Sequence, residues 1–202
     1  MNALESMIAS GFEGAMSYKE YREKIDRLHE EGKVTGPNQT EDLLTYSKLN
    51  VHRMDRWDKH THLSDHTKEV VGKIDKSVTF LVLTEGWCGD AAQIVPVIQQ
   101  IANLNSSIQT KYIIRDENLE IMDMFLTGTG RSIPIFILID EKGKVLGHYG
   151  PRPRKAQELI SQLKADYADM DVIKEKLHLW YARDKHQEVE MEFIQLLEQK
   201  LV

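Results

Sequence analysis

Three regimes of apolar spacing divide the chain. From Ser17 to Ile74 apolar residues recur every three or four positions, as one face of a helix requires. Tyr18, Tyr21, Ile25 and Leu28 share such a face in a helix over 17–31, with Ser17 as cap and Glu20 as the returning carboxylate of a capping box. Turn residues fill 32–38, and Thr40 opens a longer helix to about His60 with a stripe of Leu43, Tyr46, Asn50, Met54 and Trp57. Ser64 starts a short helix to about Ile74. From residue 78 the spacing changes. VTFLVLT (78–84) is nearly continuous, which suits a strand buried on both faces of a largely parallel sheet, and QTKYIIR (109–115) and PIFILID (134–140) are read as the second and third strands. KVLGHY (144–149) follows 134–140 across the short turn Glu141–Gly143, so those two strands form an antiparallel hairpin. Helices are predicted after residue 90, containing Pro96 as a structural kink, over 117–126, and from about Pro151 to Ala168. The remainder, from about Asp171, is helical with a break near 183–186, where Asp184 and Gln187 interrupt the apolar seam. A broken seam favours packing onto the body of the protein over a long coiled coil.

Composition narrows the class. The chain has 202 residues, 41% hydrophobic, with a formal net charge of −6. That is enough apolar material for a core, and an acidic surface disfavours nucleic acid as a partner. No run approaches the ~20 apolar residues of a membrane span, and MNALESMIASGF lacks the basic start and apolar run of a signal peptide. A single cysteine precludes an internal disulfide, which points to a reducing cytoplasm.

That cysteine, Cys88, follows a buried strand across a short loop and opens a helix. Unpaired N–H groups and the positive end of the helix dipole favour a thiolate there. Trp87 shields one side, and Gly86 and Gly89 permit a tight turn. Asp90 stabilises the helix start but repels a thiolate two residues away, so the net shift is open. The competing reading is a buried, inert cysteine, since free cysteines are among the most buried residues.

Residues 85–91, EGWCGDA, resemble the active-site motif of thioredoxins, and GTGRSIPIFILIDEKGKVLGHYG (128–150) resembles that family's second signature. The order of elements matches as well, over about 40–168, and the WCGDA form with helical flanks is similar to a bacterial branch of thioredoxin-like proteins. The resemblance implies an α/β thioredoxin-like fold: a central mixed sheet of about four strands flanked by helices. Residues 1–39 would form an N-terminal helical extension, 40–168 the thioredoxin-like domain, and 169–202 a C-terminal helical extension. It further implies a cis bond before Pro134, beside Cys88, and strand-like pairing of substrate with the backbone of Ile133. Two departures stand out. Ala91 occupies the second cysteine's position, and Val82 occupies the position where the family often buries an acid. Glu85, three residues before Cys88, is expected to be solvated in the loop.

Two functions follow as expectations. The first is a monothiol thiol-disulfide exchange protein serving redox homeostasis. Cys88 is its nucleophile, Trp87, Ile133 and Pro134 border the substrate, and Asp90 modulates the thiol. Because Ala91 cannot resolve a mixed disulfide, the partners are protein thiols or disulfides and an external, low-molecular-weight thiol. The second is a non-catalytic binding module with a structural Cys88. His52, His60, His62 and His66 fit no zinc motif, so no metal and no cofactor is expected. Arg152, Arg154 and Lys155, at a helix start where positive charge opposes the dipole, are read as solvated. The oligomeric state is left open.

Overall fold

The computed structural model describes residues 3–202; residues 1 and 2 of the expected N-terminal extension lie outside the described residues. Strands β1 (Val78–Thr84), β2 (Ile108–Ile114), β3 (Ile135–Asp140) and β4 (Val145–Tyr149) form one sheet in the order β2-β1-β3-β4. β1 runs parallel to β2 and antiparallel to β3, and β3 pairs antiparallel with β4. β1 and β3 are the inner strands, and nearly every residue in them is buried. That is why their sequences are continuous rather than alternating. The outer edge of β2 receives a single antiparallel bridge from Met16 to Tyr112, which covers part of an otherwise open edge. The mixed four-stranded sheet with flanking helices is the predicted α/β thioredoxin-like fold.

The helices start where their caps place them. α2 (Tyr18–Glu30) has the full Ser17–Glu20 capping box, α3 (Glu41–His60) is capped by Thr40, and α4 (Asp65–Gly72) by Ser64. Each cap satisfies an N–H that the first helical turn leaves unpaired. α5 (Gly89–Ala102) follows β1, is almost entirely buried and includes Pro96. α7 (Arg154–Asp166) follows β4. α8 (Met170–Asp184) and α9 (Gln187–Leu201) are separated at Lys185 and His186, both with positive φ, where the sequence predicts a break.

Two elements differ from expectation. An unforeseen helix, α1 (Ala3–Phe12), packs on the segment after β2 and buries Ile8. The helix predicted over 117–126 shrinks to a 3₁₀ turn (Arg115–Glu117) and one turn of helix, α6 (Leu119–Met122). Asn118 separates the two with φ −136° and ψ 49°, and its side chain donates 2.8 Å to the Ile114 carbonyl. That local bond competes with helix continuation.

The C-terminal helices share the core. Phe193 of α9 is fully buried against Phe80, Phe136 and Tyr149, with ring centroids 5.3, 5.9 and 5.5 Å away. Glu190 ties the same helix to the start of α4. Its carboxylate accepts from Ser64 N at 2.8 Å and from Thr67 Oγ1 at 2.6 Å, and His186 Nδ1 lies 3.5 Å away. Burial opposes the charge, yet these donors outweigh it and hold the carboxyl down at about 2. Among the described residues, no three His, Cys, Asp or Glu side chains gather as a metal would require, and no helix is long and apolar enough to cross a membrane.

Candidate functional site

Cys88 is the N-cap of α5. Its Sγ accepts from Ala91 N at 3.4 Å and its thiol donates to the Ile133 carbonyl at 3.3 Å. The Ile133–Pro134 bond is cis. Gly150, at φ +121°, packs against this loop so closely that a Cβ would lie 2.1 Å from the Pro134 carbonyl oxygen, so only glycine fits there. The strand-to-helix turn and the proline loop thus meet at the sulfur. Ala91, one turn along, is 2% exposed and offers no second thiol.

The helix start does not decide the thiol's acidity. Cys88 is 8% exposed, and burial pushes its pKa up to about 12. Asp90 adds to the rise, whereas the Ala91 N–H, Arg152 and the Asp90 N–H pull the other way without prevailing. A buried sulfur loses more from leaving water than two backbone donors return, so near neutral pH it is a thiol.

Asp90 is held from two sides. Arg152 contacts Oδ2 through Nη2 at 2.6 Å and Nε at 2.8 Å, and Tyr181 of α8 donates to Oδ1 at 2.8 Å. Arg152 is therefore not a solvated charge. It leaves the helix start to meet a largely buried carboxylate that the sequence places 62 residues earlier. Lys155 pairs with Glu188 and Arg154 lies near Glu158, yet both of these cations stay exposed.

Glu85 also departs from expectation. It is fully buried, accepting from Thr35 Oγ1 and from Asp116 N at 3.0 Å. Burial drives its pKa up to about 7, against the pull of those two donors. The loop Val34–Gly36 folds over it: Gly36, at φ +79°, would place a Cβ 3.2 Å from Oε1. The covering loop accounts for the burial, and that loop is distant in sequence. Val82 is fully buried, as its place in β1 demands.

Trp87 lies under the Arg115 guanidinium, 4.8 Å from the ring centroid, and its buried Nε1 has no hydrogen-bond partner among the described residues. Trp87, Cys88, Ile133, Asp90 and Arg152 line one open recess with Asn38 and Arg131. Cys88 also lines a second, more enclosed cavity of about 340 Å3 on the side of α3, α7 and α8. Arg53, Lys174 and His178 belong to that cavity, and sequence reasoning did not single them out. They carry no local motif: Arg53 reaches the start of α5 on α3, and Lys174 and His178 reach it on α8.

A thiol capping the helix after a central strand, beside a proline loop and at the end of a four-stranded mixed sheet, defines a thioredoxin-fold protein with one thiol. The chain belongs to the thioredoxin family, whose sequence profile, described as Thioredoxin, matches residues 36–167. No curated protein matches it. Among solved structures, it is similar to an HIV epitope scaffold of the 4E10 series, with a TM-score of 0.57 and 17% identity over 91% of this chain and 99% of that one. It is also similar to a protein of unknown function from Pseudomonas aeruginosa, with a TM-score of 0.53 and 16% identity over 86% of this chain and 94% of that one. At such identities both likenesses concern the fold alone.

Proposed function

We propose that the protein performs monothiol thiol-disulfide exchange at Cys88, in the cytoplasm of a bacterium, with an external thiol completing each cycle. The observation that carries this reading is the position of the sulfur: 3.3 Å from the Ile133 carbonyl, at the head of α5, and on the wall of two recesses. In the exchange step Cys88 loses its proton to solvent and attacks one sulfur of a disulfide. That S–S bond breaks as the mixed disulfide forms, and the departing sulfur takes up a proton as a thiol. A second thiol, supplied as a low-molecular-weight thiol or by another protein, then attacks the mixed disulfide and releases Cys88 reduced. Ile133 offers its backbone to an extended substrate segment. Trp87 and Pro134 border the sulfur, and Asp90 sets the proton's cost. We further propose that residues 40–168 form the exchange domain and that the segments 1–39 and 169–202 are extensions added to it.

The raised pKa sets the tempo. At about 12, roughly one sulfur in 10⁵ is ionised near neutral pH, although each such thiolate is intrinsically more nucleophilic than an acidic one. Exchange is therefore slow near neutral pH and quickens as pH rises.

A second reading is favoured by the same burial: a docking module in which Cys88 is packing. The two part on trapping. The native protein is incubated with bis(2-hydroxyethyl) disulfide and its intact mass measured, with Cys88→Ser as control. A Cys88 adduct on the folded protein supports exchange. If the urea-unfolded chain alone forms the adduct, the docking reading replaces it.

A further inference from the structure

The deeper cavity beside Cys88, open at Lys164 and Met170, has a one-sided charge. Arg53, Arg152, Lys164 and Lys174 line it against a single carboxylate, Asp90. Asp90 is committed to Arg152 and Tyr181. Lys174 is engaged by the Tyr46 hydroxyl at 2.8 Å and by Asp171 at 3.0 Å. That leaves Arg53 and Lys164, neither of which forms an ion pair among the described residues. Arg53 Nη1 donates to Asn50 Oδ1 at 2.6 Å, which satisfies one of its five N–H groups and none of its charge. Half-buried without a carboxylate, this guanidinium has its pKa lowered by desolvation.

The wall also presents an oriented neutral donor. Trp57 Nε1 can only donate, and it does so to Gln93 Oε1 at 2.6 Å. The Gln93 amide nitrogen therefore faces His178 Nδ1, 3.4 Å away, and makes Nδ1 the acceptor. The imidazole proton then sits on Nε2, beside Gly89, where a Cβ would be 2.8 Å from that nitrogen. Burial, with Arg53 and Lys174 nearby, holds His178 down at about 4, so it is neutral under ordinary conditions. Between the cations the lining is apolar, from Leu43, Ile160, Met170 and Leu177. At about 340 Å3, the volume is that of a small-molecule site.

We infer that this cavity binds a small anionic thiol compound, its carboxylate held by Arg53 and Lys164, its short apolar body against the α7–α8 wall, and its sulfur against Cys88. The inference rests on the exchange reading for the sulfur's role, whereas the anion site stands on the cavity's own charge. In the exchange, one half of an anionic disulfide joins Cys88 Sγ and the other half leaves as the free thiol; the thiol of a protein substrate then attacks the mixed disulfide, takes over the bound half and releases Cys88 as a thiol.

Two measurements separate the claims. The first compares native-protein mixed-disulfide formation by 3,3′-dithiodipropionate (dianionic), bis(2-hydroxyethyl) disulfide (neutral) and cystamine (dicationic), each rate divided by that of the urea-unfolded chain. The expected result is an anionic rate about tenfold above the neutral one, with the cation slowest, and a ratio falling toward one in Arg53→Gln/Lys164→Gln. Equal normalised rates overturn the inference and leave exchange standing. The second titrates suberate, the sulfur-free analogue of the dianion, into Cys88→Ser while the His178 ring signals are followed by NMR. A saturable shift that disappears in the Arg53→Gln/Lys164→Gln background supports the anion site. No shift, or one that survives those substitutions, overturns it. Saturable suberate binding with no adduct from any disulfide supports the anion site and refutes the sulfur chemistry.

Discussion

Asp90→Asn tests the electrostatics of the thiol most sharply. The wild-type carboxylate is the second cause, after burial, of the raised Cys88 pKa, and its partner Arg152 acts in the opposite direction. An asparagine keeps an oxygen for the Tyr181 hydroxyl and removes the charge, leaving Arg152 unopposed beside the sulfur. For charges roughly 6 Å apart at an effective dielectric constant of about 20, the repulsion relieved is about 3 kcal/mol. That corresponds to a titration midpoint about two pH units lower. The thiolate population near neutral pH then rises about a hundredfold, while the lower basicity costs each thiolate slightly less than tenfold in nucleophilicity, for a Brønsted slope of about 0.4–0.5. The net expectation is about a tenfold faster reaction with bis(2-hydroxyethyl) disulfide, followed by quenched intact-mass measurements. Circular dichroism and urea unfolding establish that the variant is folded. An unchanged or slower rate in a folded Asp90→Asn protein would refute the reasoning, because it would mean that Asp90 does not act on the sulfur.

Other outcomes follow from the packing and the buried acids. Glu85, raised to about 7, contributes stability that is complete below its unfolded value of about 4.5 and is lost as pH rises through about 7, by about 3 kcal/mol in all. Glu85→Gln should flatten that decline in urea unfolding between about pH 4.5 and 8; an unaltered pH slope would show that another group causes it. Phe193→Ala empties the aromatic cluster under β1 and β3 and should cost about 3–5 kcal/mol, read from urea midpoints; a loss below about 1 kcal/mol would mean that α9 is not part of the core. Gly89→Ala puts a Cβ 2.7 Å from His178 Cε1, so α8 should lift, raising hydrogen exchange across residues 170–184 and the reaction rate of Cys88. Exchange protection equal to wild type would place His178 elsewhere.

Local chemistry made much of the architecture legible. The capping residues Ser17, Thr40 and Ser64, the continuous apolar runs of β1 and β3, and the Glu141–Gly143 turn act over a few residues and need no distant partner. The break at Lys185 and His186 was legible for the same reason. α1 was not, because a helix of only ten residues gains its stability by packing on the segment after β2. The helix predicted over 117–126 was lost to a side-chain bond from Asn118, a competition that periodicity does not register. At the site, Cys88, Trp87, Asp90, Ile133 and Pro134 were all visible as motif positions; the structure brings the first four around one recess, with Pro134 joined in cis to Ile133 behind it. The electrostatics were not visible. Glu85 is buried by a loop about 50 residues away, Arg152 crosses 62 residues to reach Asp90, and the cavity cations Arg53 and Lys174 come from α3 and α8, far apart in the chain. A helix start argues for an acidic thiol wherever water reaches it; here the covering helices decide the sign.

The pH dependence of mixed-disulfide formation at Cys88 in the native protein, from about pH 6 to pH 10, bears on all of this at once. With the midpoint at about 12, the account predicts a Cys88 adduct whose formation rate climbs about tenfold per pH unit across the whole range, with no plateau. A plateau below about pH 8.5 would contradict the electrostatics of the site, and the absence of any adduct from the folded protein would contradict exchange itself.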